Sequence, residues 1–130
     1  MQYGQLDTSF LAAGGEQGLV SLAEAFYHQM ETLEEAKKIR AMHPEDLTES
    51  IYKLARFLSG WLGGPKLYRE KYGSISIPRA HQHLAISPKE MDAWLLCMEK
   101  ALENSNHSDD FKAYLLKQLA VPASRCVNTE

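Results

Sequence analysis

From Gln17 to Met30 the apolar residues Leu19, Leu22, Ala23, Phe26, Tyr27 and Met30 fall three and four apart, one stripe along one face of a helix. The same period returns in Leu47, Ile51, Leu54, Leu58, Trp61 and Leu62, in Met91, Trp94, Leu95, Met98, Ala101 and Leu102, and in Phe111, Leu115 and Leu119. Stripes of this kind are buried only against one another, so the spacing predicts an all-α domain. Local signals place the boundaries. Gly14-Gly15 turns the chain after a short helix over Thr8–Ala13, and the charged stretch Glu31–Arg40 has room for one more short helical piece. Pro44-Glu45-Asp46 reads as the first turn of the second stripe, with carboxylates at the positive end of its dipole, and Gly63-Gly64-Pro65 stops it. Ser87-Pro88-Lys89-Glu90 is a capping box that opens the third stripe. After a turn over Asn104–His107, Ser108-Asp109-Asp110 opens the fourth, which Val121-Pro122 is expected to end. Between the second and third stripes, Lys66–Ile86 has no sustained period. A strand over Ser74–Ile77 would have nothing to pair with, so an ordered loop with short helical turns is expected. A small domain seldom keeps about twenty irregular residues without a use for them.

The chain has 130 residues, one domain over 1–130, with a polar tail from about 122 to 130 expected to be flexible. Lys and Arg number 14 against 17 Asp and Glu, a net charge of −3, so no basic field exists to hold nucleic acid. No apolar run approaches the roughly 20 residues of a membrane-spanning helix. The first residues lack the basic and apolar regions of a signal peptide. Two cysteines, Cys97 and Cys126, make no disulfide framework, and a cytoplasmic location is the expectation. No Gly-x-Ser-x-Gly, His-Glu-x-x-His, phosphate-cradling loop or paired-cysteine metal spacing occurs. Cys97 lies mid-helix near the apolar face, where a thiol is an inert small hydrophobe.

Of five histidines, His28 and His107 read as solvated. His81 and His83 stand one residue apart in the irregular segment. On a helical turn they would point about 200° apart, so at most one of them is a metal ligand. Phe26, Tyr27, Phe57, Trp61 and Trp94 occupy three stripes, which a large core alone would explain. Yet buried Tyr and Trp each carry a polar atom that needs a partner. A cavity holding a flat apolar cofactor, with a ligand on its metal, would use both the rings and their donors.

One further set of residues, in order and at compatible spacing, narrows this: Gly14-Gly15, Phe26-Tyr27, Pro44-Glu45-Asp46, Phe57-Leu58, Gly63-Gly64-Pro65, His81, and Asp92-Ala93-Trp94-Leu95-x-Cys97-Met98. With these the chain resembles the group II truncated haemoglobins from about Thr8 to Val121. The resemblance implies a two-over-two helical sandwich enclosing haem b, iron protoporphyrin IX. It puts the proximal iron ligand on His81, thirteen residues before Trp94, and leaves His83 away from the metal. Tyr27, His43 and Trp94 become the distal groups, each offering an O–H or N–H. Leu54, Phe57 and Leu58 line the distal wall, and Ser50 leaves ligand access open. Many relatives carry arginine directly before the proximal histidine. Ala80 stands there in this chain, so Arg79, Lys53 and Tyr68 are the expected propionate anchors.

The implied small ligands are O2, NO, CO or peroxide. A hydrogen bond to a charged partner contributes ~1.5–3 kcal/mol, so two or three distal donors imply slow O2 release. The rival reading is an NO dioxygenase or peroxide-reducing haem enzyme. It would need an external reductase, because the chain has no flavin or nicotinamide site of its own. A haem-free helical interaction module is the third. A monomer or weak homodimer is expected.

Overall fold

The computed structural model describes residues 3–73 and 81–129. The described residues form seven α-helices: α1 (Thr8–Ala12), α2 (Gly15–Thr32), α3 (Lys37–Ala41), α4 (Thr48–Trp61), α5 (Leu67–Tyr72), α6 (Pro88–Glu103) and α7 (Asp109–Cys126). A 3-10 turn, Glu34–Ala36, joins α2 to α3. The suggested strand over Ser74–Ile77, and Arg79, lie outside the described residues. Helix α2 packs on α4, α6 packs on α7, and α2 also runs against α6, so two helix pairs are stacked with the core between them. No helix among the described residues is long and apolar enough to cross a membrane.

The stripes account for the core. Leu19, Leu22, Ala23, Phe26, Tyr27 and Met30 of α2 are all buried, as are Phe111, Leu115 and Leu119 of α7. Helices α4 and α6 behave differently. Leu58 and Leu62, and Met98, Ala101 and Leu102, are buried, while Ile51, Leu54, Trp61, Met91, Trp94 and Leu95 of the same stripes, and Phe57 beside them, are only half-buried. Of these, Leu54, Phe57, Met91 and Trp94 lie at the end of the sandwich where the layers part.

Gly14, with φ 97°, turns the chain from α1 into α2 as expected. Gly63, with φ 86°, ends the turn after α4. There the Leu62 carbonyl accepts from the Phe10 N–H at 3.1 Å, which ties the N-terminal helix to the end of α4.

Three sequence expectations change. Helix α4 begins at Thr48, not at Pro44. The Arg40 guanidinium donates to the carbonyls of His43, Pro44 and Glu45, at 3.5, 3.0 and 3.0 Å, and so holds this stretch out of the helix. The Asp46 carboxylate then accepts from the Thr48 N–H at 2.9 Å. Helix α7 does not stop at Val121-Pro122 but continues to Cys126 with Pro122 inside it. Proline removes one N–H and crowds the preceding turn, at a cost of about 3 kcal/mol in a helix interior. Here Pro122 is buried, so its ring recovers apolar contact that offsets the lost bond. His107 is not solvated: its ring bonds the Ser105 hydroxyl and the Ala13 carbonyl, each at 2.8 Å, joining the end of α1 to the α6–α7 turn.

The capping box at Ser87 forms as read. The buried Glu90 carboxylate accepts from the Ser87 N–H at 2.9 Å, the Ser87 hydroxyl at 2.6 Å and the Lys38 ammonium at 3.2 Å. The Ser87 bonds, more than the Lys38 charge, bring its pKa from 4.5 down to about 2. A group depressed on folding contributes stability above its unfolded pKa and loses that contribution as pH falls through the folded one. We therefore expect Glu90 to weaken the fold progressively from about pH 4.5 to about pH 2. Urea midpoints at pH 6 and pH 3 should fall less between the two conditions in Glu90→Gln than in the parent chain; equal falls would remove Glu90 from the account.

Candidate functional site

The half-buried ends of the stripes open onto a cavity of about 380 Å³. Helix α4 supplies Ser50, Lys53, Leu54 and Phe57, α6 supplies Met91 and Trp94, and α2 supplies Tyr27. Ile39, Met42 and His43 close one corner, and Tyr68 of α5 and His81 of the following segment border the rest. Of the eleven residues named from sequence, nine therefore meet in one space. Arg79 is outside the described residues. Leu58 is not on the wall: it is fully buried in the core behind Leu54 and Phe57, one position further round the helix. His83 is exposed and takes no part in the lining.

Phe26 sets the polar corner. Its ring, wholly buried, stands 4.9 Å from the Tyr27 ring at 85° and 4.9 Å from the Trp94 ring at 58°. It is a wedge that holds both side chains against the cavity. Burial pushes the Tyr27 phenol up to about 12, so it stays a neutral O–H donor near neutral pH. The His43 ring sits edge-on to Tyr27, with ring centres 5.4 Å apart.

His43 differs from the expectation in what it offers the cavity. Its Nδ1 lies 2.8 Å from the Ile39 carbonyl oxygen, and its own carbonyl is held by Arg40. A carbonyl only accepts, so Nδ1 carries the proton. Burial lowers the His43 pKa, and the nearby Arg40 charge pushes in the same direction, against the bond to Ile39. The neutral ring then has a lone pair on Nε2, so the expected His43 N–H towards the cavity is an acceptor instead.

The lining also includes residues that the sequence reading did not assign to the site. Leu84 and Ile86 follow His81, and Glu90 lies at the start of α6. Leu119, Pro122, Ala123 and Cys126 come from the end of α7. A signal for the last group was present: 115, 119, 122, 123 and 126 continue the three-and-four spacing straight through the proline. Among the described residues no three His, Cys, Asp or Glu side chains gather to hold a bare metal ion. The donor set is instead two imidazoles among apolar walls, His81 and a His43 already bonded to the Ile39 carbonyl, with hydroxyl and indole groups beside the latter. That set suits a flat apolar group whose metal takes a single protein ligand.

The description "bacterial-like globin" belongs to the family whose model matches residues 8–126. The chain belongs to the bacterial-like globin family. Within it, the similarity is to group II truncated haemoglobins. The structure from Agrobacterium tumefaciens is 35% identical with a TM-score of 0.88, each chain covered in full. A cold-adapted truncated haemoglobin of Pseudoalteromonas haloplanktis is 33% identical with a TM-score of 0.89, covering 95% of this chain and 99% of that one. An oxygen-avid truncated haemoglobin of Bacillus subtilis is 32% identical with a TM-score of 0.83, covering 92% and 98%. The all-helical sandwich described above is thus the two-over-two truncated globin fold. Family membership implies haem-based binding of small gaseous ligands.

Proposed function

We propose that this truncated globin binds haem b in the cavity through His81, holds O2 and related diatomic ligands beside Tyr27 and Trp94, and releases O2 slowly. One observation carries the reading: His81, the Tyr27 hydroxyl-bearing ring and the Trp94 indole, from three separate parts of the chain, converge on one mainly apolar cavity. The oxygen-avid Bacillus subtilis relative agrees with it. Haem, when bound, supplies an iron that takes a diatomic ligand and passes electron density to it.

The chain's own residues do the rest. His81 would offer one ring nitrogen to the metal. Leu54, Phe57 and Met91 would pack on a flat apolar group and keep water off it. Lys53 and Tyr68, at the rim, suit the carboxylates. Tyr27 would donate its O–H and Trp94 its indole N–H to a bound diatomic ligand, with Phe26 packed against both rings. Each donor contributes ~1.5–3 kcal/mol, so Tyr27→Phe or Trp94→Phe should speed O2 dissociation roughly tenfold to a hundredfold while keeping most of the packing. Stopped-flow dissociation traces test this. Unchanged rates in both single variants and in the double variant would sink the proposed donor pair.

A further inference from the structure

The end of the chain, expected to be a polar tail, is bonded to the segment that carries His81. Helix α7 brings Pro122, Ala123 and Cys126 to the cavity wall, and the residues after it cross back over positions 81–86. There the Asn128 side chain bonds the segment with both ends of its amide. Its oxygen accepts from the Ile86 N–H at 2.9 Å, and its nitrogen donates to the Leu84 carbonyl at 2.8 Å and, more weakly, to the His81 carbonyl at 3.4 Å. The backbone adds to this. The Asn128 and Thr129 N–H groups donate to the Ile86 carbonyl at 2.8 and 3.2 Å. Within the segment, the Leu84 N–H donates to the His81 carbonyl at 3.0 Å.

We propose that Asn128 is a positioning residue for His81: its amide fixes the turn over 81–86 and thereby the direction in which the imidazole enters the cavity. The inference rests on the reading of His81 as the iron ligand. The side chain suits the task. A carboxamide presents an acceptor and a donor in one plane, so it meets a backbone N–H and a backbone carbonyl as another peptide group would. Aspartate at 128 would keep the acceptor and lose both donor contacts, and alanine would lose all three. Asn128 is exposed and outside the core, so replacing it removes no apolar packing.

The experiment uses the haem-loaded full chain and the haem-free chain, with Asn128→Ala and Asn128→Asp. In Asn128→Ala the Ile86 amide should exchange with solvent roughly tenfold faster in both forms, as expected for losing one such bond. The ferrous iron–histidine stretching band should shift or broaden, and haem should transfer to apomyoglobin several-fold faster. In Asn128→Asp the Ile86 amide should stay near its parent rate, because its acceptor remains, while the band still moves. A band unchanged in both variants overturns the proposal, even with faster exchange, because the contact would then be structural only. The control is His81→Gly. If that variant keeps its haem spectrum, the ligand assignment has failed and the proposal falls with it. If it loses haem while Asn128→Ala is silent, the ligand stands and the positioning role alone is overturned.

Discussion

His81→Gly should yield a folded chain that no longer retains haem, and added imidazole should restore the Soret band. His83→Ala should leave that band where it was. The two residues are one apart and differ in setting: His81 borders the cavity, whereas His83 is exposed and takes no part in the lining. Glycine at 81 leaves a space that free imidazole fills, which separates loss of a ligand from loss of the fold. Far-ultraviolet circular dichroism should be unchanged by either substitution, since the helices draw their cores from other residues. Retention of haem in the His81 variant, with loss in the His83 variant, would exchange the two assignments.

The second large effect lies away from the site. Gly63→Ala should cost about 2–4 kcal/mol, from a left-handed backbone that alanine resists and from a Cβ that meets a neighbouring backbone. Gly63 has φ 86°, and a Cβ there would land on the Leu6 carbonyl oxygen, which has no flexible side chain to yield. Gly60, three residues earlier in α4, is the internal comparison. Its Cβ would lie 3.7 Å from Lys66 Cα, an ordinary contact. Gly60→Ala should therefore be neutral or stabilising by up to about 1 kcal/mol, because alanine favours the helix. Chemical denaturation of the two variants checks the opposite signs. Equal effects would show that strain and contact at Gly63 do not matter.

Much of this architecture is legible in the sequence, for a physical reason. Burial demands periodicity, and the stripes of α2 and α7 state it residue by residue. The capping box at Ser87 and the Gly63-Gly64-Pro65 stop are local chemistry, so short windows of sequence contain them. The departures have causes at longer range. Nothing near Pro44 reveals that Arg40 will hold the carbonyls of the residues around it and delay α4 to Thr48. Pro122 looks like a helix end until its burial on the cavity wall is known. His107 looks solvated because its partner, the Ala13 carbonyl, lies 94 residues away. Leu58 shows the limit of resemblance: a helix face is broader than a cavity wall, and one turn of it belongs to the core. Half-burial alone does not pick out the cavity wall, since Ile51 and Leu95 of the same stripes are half-buried and lie off it.

Under the proposed function, the bond from His43 to the Ile39 carbonyl would sort the cavity's guests by whether they bring hydrogen with them. With its one proton committed to the backbone, the ring can only receive, while Tyr27 beside it can give. Water and hydrogen peroxide can do both at once, offering a hydrogen to the imidazole and taking one from the phenol. O2, CO and NO have none to offer, so of these two side chains they use only the phenol. Two classes of small molecule would then be held in the same space through different atoms. Replacing His43 by phenylalanine should weaken the hold on the first class and leave the second still able to use Tyr27.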